Sequence, residues 1–428
     1  MAQTDKVAAP LSASTGGFEI PEGITIPEVV FLDEPDGGTP SVITTDRGLQ
    51  RVADILASQS GPVAVDTERA SGIRYGQRAF LVQLKRGNSG VILIDPESFP
   101  HLSPINEALA GAEWVIHAAS QDLPCLAELG MRPDVLFDTE LGGRLAGFER
   151  VGLGYMVEHL LGYKLAKEHS AVDWSHRPLP AQWLNYAALD VDILLDLRDA
   201  VESELRAQGK LELAREEFNA VRERTGFEQK PDPWRKTKGI RDLKTRRQLT
   251  ALRNLWYERD HLAQKKDVAP KRLLPDSSLI AAARIMPQTV PAVLAIPGFQ
   301  TRSLKREAPR WVKAITEAKK EPSPVPFTLP ASGPPPLKAW EVKRPLSAEL
   351  IAEAKPLVIE ISEQLGMPQE NLLTPDILRR LCWDPPAGSG EQELRLALLE
   401  LGARQWQIER VAGHLARVFT RVRAQHSQ

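Results

Sequence analysis

The chain of 428 residues is longer than one ordinary domain, which points to about two to four domains. At 42% hydrophobic, 26% charged and 6% aromatic residues it has the makings of real cores, which excludes a disordered chain, a fibrous protein or a disulfide scaffold as the whole answer. The net charge of −2 hides a segmentation: −15 over residues 1–229, +14 over 230–320 and −1 over 321–428.

Residues 1–40 are polar, rich in Gly, Pro, Ser and Thr and without periodicity, so they read as a mobile tail. Met1–Ile20 lacks a basic segment followed by an apolar one, and no run anywhere approaches the ~18 apolar residues of a membrane helix. Cys125 and Cys382 lie far apart and form no metal or redox spacing. These features predict a cytoplasmic protein. Strand-like runs follow at Gly61–Glu68, Phe80–Arg86 and Gly90–Asp95, the last two joined by the turn residues Gly87-Asn88-Ser89-Gly90. Ser103-Pro104 opens a helix, and Trp114–Ala118 reads as a short buried strand. Ser120 is the expected N-cap of a helix reaching Leu129. Val135–Phe137 is another strand, followed by a helix from Asp138 to about Leu145. Three strands, then alternating helix and strand, predict an α/β layer domain.

From Pro180 to Ala207 the 3.6-residue period is strong, through Leu184, Leu189, Ile193, Leu194 and Leu197. The basic block predicts three or four amphipathic helices punctuated by prolines, and basic blocks of this kind most often bind a phosphate backbone. Residues 322–336 hold seven prolines and read as a semi-rigid linker, and 337–428 as a second small helical domain.

Asp66 and Glu68 lie at the end of the first strand. Its two-residue period points both carboxylates to one face, where they repel unless a cation sits between them. Hard divalent ions with oxygen ligands, Mg²⁺ or Mn²⁺, suit that need, although a solvated strand end explains the pair as well. Asp122 falls in the first turn of a helix, where an acid also complements the helix dipole. Tyr186 and Asp190, four apart, share a helix face.

Taken in order, Asp-x-Glu on a strand, Asp after a later strand and Tyr-x-x-x-Asp on a helix resemble the DEDDy 3′–5′ exonucleases. The stretches His117–Leu123, Phe137-Asp138-Thr139, Asp173–Leu179 and Tyr186–Val191 are similar to the ribonuclease D family within them. One departure is Gln121, where that pattern often has Glu. Arg247–Leu249, Trp256–Asp260, Pro270–Asp276, Pro287–Thr289 and Ile296–Phe299 resemble an HRDC domain, a helical nucleic-acid-binding module. Leu378–Trp383 is similar to part of the second C-terminal helical domain of longer family members. The resemblance covers residues 41–428. It implies a ribonuclease H-like α/β exonuclease domain, a mixed sheet flanked by helices, over 41–215. A basic HRDC domain would follow at 225–321, the linker at 322–336 and an HRDC-like all-α domain at 337–428.

The family further implies two divalent ions, Mg²⁺ or Mn²⁺, about 3.5–4 Å apart. Asp66 would bridge both, Glu68 and Asp190 would complete the site of the ion that activates the nucleophile, and Asp122 would support the second. Tyr186 would orient the attacking water or help deprotonate it. The reaction would be hydrolysis of the 3′-terminal phosphodiester of RNA, releasing nucleoside 5′-monophosphates, with tRNA precursors as substrates and the basic block gripping RNA. Arg69, Arg74, Arg78 and Arg177 are further candidates to meet substrate phosphates, against a solvated or structural reading. Trp174 would stack on the substrate or pack in the core, His117 reads as a core residue, and Asp138 reads as a helix N-cap rather than a fifth ligand. Two other readings stay open: the same chemistry on DNA in repair, and a non-catalytic nucleic-acid-binding adaptor, against which the presence of all four acids and Tyr186 argues. Nothing in the sequence calls for a membrane or an oligomer.

Overall fold

Alternation along one strand organises the catalytic half. In Val63–Arg69, Val63 and Val65 belong to one apolar cluster and Ala64 to another, so both faces are covered, as a central strand requires. The structure, a computed structural model, describes residues 30–165, 172–224, 231–329 and 333–426.

The strands are β1 (Val30–Leu32), β2 (Val42–Ile43), β3 (Val63–Arg69), β4 (Ala79–Arg86), β5 (Val91–Ile94), β6 (Glu113–Ile116), β7 (Val135–Asp138) and β8 (Tyr163–Leu165). Six form one mixed sheet in the order β2-β5-β4-β3-β6-β7. The β3–β4–β5 meander is antiparallel, and β2 on β5 and the β3–β6–β7 pairings are parallel. The glycines expected to turn the hairpin do so, with Gly87 and Gly90 at φ 50° and 66°. Two helices, α1 (Asp46–Ser58) and α2 (Ser103–Ala108), cover one face together with α3 (Leu123–Glu128). The other face packs against α4 (Thr139–Ala146), α5 (Leu153–Leu161), α6 (Ala181–Asp192), α7 (Leu194–Ala207) and α8 (Leu211–Glu223). Mixed sheet and flanking helices are the α/β layers that the sequence predicts.

Three local expectations change. The tail expected over 1–40 already carries structure from Val30, where β1 pairs in parallel with β8; residues 1–29 lie outside the described residues. Ser120 does not cap α3. It sits in a single 3-10 turn, and Pro124, suited to a first helical turn, lets the helix begin only at Leu123. The periodic stretch from Pro180 is two helices, broken at Ile193, and the Asp192 carbonyl at the break accepts from Lys85 Nζ at 2.8 Å.

Among the described residues, the regular elements of the basic block are all helices. Its helices are α9 (Arg246–Lys266), α10 (Pro270–Leu273), α11 (Asp276–Ile285), α12 (Val290–Leu294), α13 (Arg302–Arg306) and α14 (Ala308–Lys320). They bury their own core around Trp234, Leu255, Phe299 and Trp311, and residues 225–230, expected to begin this domain, lie outside the described residues. The first part of the Pro-rich linker is pinned to this block: Val325 N donates to Thr250 Oγ1 at 3.1 Å, and Arg235 Nη1 donates to the carbonyls of Pro326 and Phe327. Residues 330–332 of the linker lie outside the described residues. The C-terminal helices behave differently. Trp340, Leu350, Trp406 and Phe419 belong to the same continuous apolar cluster as α6 and α7 of the catalytic domain. The close approach is made at Gly147 (φ 85°), where a Cβ would stand 2.3 Å from the Gly366 carbonyl oxygen. Among the described residues, no helix is long and apolar enough to cross a membrane.

Candidate active site

The site grows from the end of β3. Asp66 and Glu68 project to the face shared with Ala64, which α6 covers, and Asp190 on α6 reaches them from above. One carboxylate oxygen from each of Asp66, Glu68 and Asp190 lies within 4.8 Å of the other two. Glu68 and Asp190 are only 8% exposed. Burial together with mutual repulsion pushes the Asp66 carboxyl up to about 7 and raises Glu68 well above its ordinary range. Tyr186, one helical turn before Asp190, is half-buried, and burial, Asp190 and Glu68 all drive its phenol further up. A phenol so held keeps its proton, which it donates to Asp190, and this favours orienting a water over deprotonating it.

Asp122 comes from the other side of the strand. Thr67, between the two acids, points to the opposite face, and its hydroxyl donates to Asp122 Oδ1 at 2.6 Å. Burial, then Asp66, raises the Asp122 carboxyl to about 7. Arg69 Nη2 lies 3.8 Å from Asp122, and Arg69 also donates to the Gln121 carbonyl (2.6 Å) and Oε1 (3.3 Å). The amide at position 121, where the family often has an acid, is thus occupied by Arg69. The turn that delivers Asp122 is fixed by Asp138: its carboxylate accepts from the N–H of Ala118 (3.1 Å) and Ala119 (2.9 Å) while capping α4 through Leu141 N. Asp138 is the N-cap expected of it.

The remaining candidates are placed less favourably for substrate. Arg177 donates to both oxygens of Asp95 and to the carbonyls of Phe80, Trp174 and His176, so its guanidinium is committed inside the domain. Arg78 is held by both oxygens of Asp267 (2.8 and 2.9 Å) and by Glu97, and Arg74 by Ser175 (2.7 Å) and Asp267 (3.6 Å). Both tie the loop after β3 to the basic block. Arg69 alone of the four stays beside the acids. Trp174 is fully buried against Trp183, which leaves packing as its role. His117 bonds Thr139 Oγ1, and burial lowers it to about 4, so it is a neutral core histidine.

Two residues escaped the sequence reading. Thr67 sits between the acids, and only the two-residue period hints that it serves the opposite face. Gln83, the cross-strand partner of Asp66 on β4, is fully buried, and neither atom of its amide has a partner among the described residues. That leaves unused hydrogen-bonding capacity beside the carboxylate, in a site whose charged donors are all oxygens. Such a donor set fits a hard divalent cation, held by Asp66, Glu68 and Asp190 with Asp122 at the flank.

Residues 40–206 match the family described as 3′-5′ exonuclease, 248–315 the HRDC domain and 333–419 the 3′ to 5′ exonuclease C-terminal domain. Ribonuclease D of Gluconacetobacter diazotrophicus is 30% identical over 353 residues, 81% of this chain and 87% of that protein. Ribonuclease D of Escherichia coli K12 is 32% identical over 251 residues, 58% of this chain and 66% of that protein. Among solved structures, a protein from Bifidobacterium adolescentis superimposes with a TM-score of 0.83 at 37% identity, covering 92% of this chain and all of that one. Escherichia coli RNase D, an exoribonuclease involved in structured RNA processing, gives a TM-score of 0.64 at 25% identity over 89% of this chain and 98% of that one. Exonucleases with this acid set use two divalent metal ions, and the acidic cluster here matches that requirement. With a relative at 30% identity aligned over most of both chains, the chain belongs to the ribonuclease D family of 3′–5′ exoribonucleases.

Proposed function

We propose that this chain removes nucleotides one at a time from the 3′ end of RNA, with tRNA precursors and similar structured RNAs bearing single-stranded 3′ tails as its substrates, in the cytoplasm. The observation that carries this reading is the trio of Asp66, Glu68 and Asp190, three carboxylates gathered within 4.8 Å beside Tyr186 and Asp122. When bound, two divalent ions supply a metal-activated water and charge neutralisation at the scissile phosphate.

The protein's own groups divide the remaining work. Asp66, Glu68 and Asp190 hold the cations, and Asp122, positioned by Thr67, supports the second site. The Tyr186 phenol, its proton donated to Asp190, offers its oxygen lone pairs to orient the attacking water. Arg69, next to Asp122, is the side chain best placed to meet the terminal phosphate. We divide the chain into a catalytic domain (41–215), an RNA-gripping basic HRDC domain (225–321), a linker (322–336) and a C-terminal helical domain (337–428). The +14 charge of residues 230–320 supports that division of labour, because the catalytic half is itself acidic.

The test is a 5′-labelled tRNA with a 3′ trailer, run beside a DNA of the same sequence and an unstructured RNA, with Mg²⁺ or Mn²⁺. Trailer shortening that halts at the folded acceptor stem, faster than on DNA, is the expected result. Preferential digestion of the DNA would move the protein to repair, and retention of every substrate intact on a shifted band would make it an adaptor.

A further inference from the structure

A cavity of about 490 Å³ opens between the catalytic domain and the basic block. One wall is the Gly72–Gln77 loop that follows the Asp66/Glu68 strand; the other comes from α9 and the segments around Pro233 and Pro270. It is a composite site, present only because the two domains dock. The docking is polar: Tyr75 OH donates to Asp260 Oδ2 at 3.0 Å, Arg78 grips Asp267, and Ala269 N donates to the Ile73 carbonyl at 2.9 Å.

The lining has two kinds of chemistry. Trp256 and Tyr75 supply half-buried aromatic rings, and Lys236 and Lys271 supply exposed ammonium groups. The two acids that line the cavity, Asp260 and Asp276, are already engaged. Asp260 accepts from Tyr75, and Asp276 accepts from Arg259 Nη1 at 2.8 Å with Lys271 Nζ at 3.6 Å. Arg259 is only 2% exposed, lines the cavity, and has no partner for its Nε among the described residues. Arg259 pairs with Asp276 and Arg74 with Asp267, which leaves Lys236 and Lys271 as the exposed cations of the lining. Rings beside cations suit a nucleotide, whose base stacks while its phosphate meets ammonium and guanidinium groups. The volume falls within the range of about 300–1,000 Å³ that small-molecule sites take.

Position narrows the ligand. The loop wall runs from four to nine residues after Glu68, so at about 3.4 Å per extended residue the cavity lies within about 30 Å of the acids. We propose that this interdomain cleft binds an internal nucleotide of the single-stranded RNA tail, upstream of the 3′-terminal bond. This rests on the exoribonuclease reading above. The base stacks on Trp256, and Lys236 and Lys271 contact the neighbouring phosphate.

The experiment uses the full chain in chelator, so that RNA is bound and not cut, with a fluorescent RNA of about 12 nucleotides, within the span of known single-strand sites. A dinucleotide and free 5′-AMP are run alongside. Trp256→Ala is expected to weaken the long RNA about tenfold and leave the dinucleotide unchanged, with Trp256→Phe restoring most of the loss. Lys236→Gln, a change at an exposed position that leaves the core intact, is expected to reduce the slope of log affinity against log salt by about 0.7. With Mg²⁺ restored, Trp256→Ala should raise KM on the long RNA and leave hydrolysis of the dinucleotide at the parent rate. Unaltered long-RNA affinity in both the Trp256→Ala and Lys236→Gln variants, or an equal loss for the dinucleotide, would overturn the proposal. So would 5′-AMP binding that depends on Trp256 while the long RNA is indifferent, because the cleft would then hold free nucleotide. If the unmodified chain cut no RNA with any metal, the enzymatic reading would fail instead, whatever the cleft binds.

Discussion

Thr67 Oγ1 donates a 2.6 Å hydrogen bond to Asp122 Oδ1, joining the fourth acid to the strand that carries the first two. The bond lies on the face opposite the Asp66–Glu68 pair, so the position of Asp122 relative to that pair depends on a neutral side chain that no charge pattern would single out. Thr67→Val keeps the shape and removes the donor. It is expected to lower kcat about 10- to 100-fold, as loss of an orienting partner beside a metal site commonly does, with Thr67→Ser retaining most of the activity. Metal titration of kcat for both variants checks this, with circular dichroism to confirm the fold.

The pH behaviour follows from the raised carboxyls. Asp66 and Asp122 move from an ordinary 3.8 to about 7, chiefly through burial. Below the ordinary value both groups are protonated in folded and unfolded chains alike, and the fold bears no penalty. As pH rises through about 7 the folded protein must hold buried charges that the unfolded chain carries in water, so metal-free stability declines. A divalent ion needs the ionised form and removes that penalty. Thermal unfolding in chelator should therefore show a lower Tm at about pH 8 than at about pH 5, and Mn²⁺ should raise Tm far more at the higher pH. Equal Mn²⁺ shifts at both values would contradict the assignment of these acids as the cation site.

Asp267 gathers Arg78 through two bonds and Arg74 at 3.6 Å, clasping the basic block to the loop after β3. All three side chains are about a third exposed or more, so solvent screening keeps the pair modest, and Asp267→Asn is expected to cost about 1 kcal/mol of docking. The readout is hydrogen exchange at the Ala269 amide, which bonds Ile73 across the interface and should exchange faster in the variant and at high salt.

Glu217 makes the corresponding link to the C-terminal helices. Its Oε1 accepts from Trp406 Nε1 at 2.8 Å and lies 3.0 Å from Arg404 Nε, with the carboxylate 6% exposed. Glu217→Ala leaves an arginine and an indole N–H uncompensated in a buried interface, at a cost of about 3 kcal/mol. A drop in the urea midpoint of the full chain, larger than that of Asp267→Asn, is the expected result.

Much of the site was legible because its signals are local. Asp-x-Glu on an alternating strand and Tyr-x-x-x-Asp on a helix fix side-chain direction by period alone, and the structure places them as the periods say. Asp138 could be read as a cap because Asp before a helix is a local arrangement too. Apart from the Ser120 cap, what the sequence left open was long-range. Arg78 and Arg177 looked like phosphate ligands because nothing in sequence announces that Asp267 and Asp95, 189 and 82 positions away, will claim them. Gln83 carries no local signal, and only strand pairing sets it opposite Asp66. Likewise, the Pro-rich linker left open where the C-terminal helices lie, and their tryptophans and leucines join the apolar cluster of α6. Local periodicity cannot say which apolar faces will meet.

We propose that Asp66, Glu68, Asp122 and Asp190 together hold the two divalent ions used in cutting RNA from its 3′ end. The most direct measurement pairs Mn²⁺ calorimetry with a 5′-labelled RNA ladder, for the parent chain and for Asp190→Ala. The parent should bind two ions and shorten the RNA stepwise from the 3′ end only when metal is present, and the variant should lose an ion and at least 100-fold in rate, as expected when a member of a concerted site is removed. Undiminished, metal-independent shortening by the Asp190→Ala protein would contradict the account.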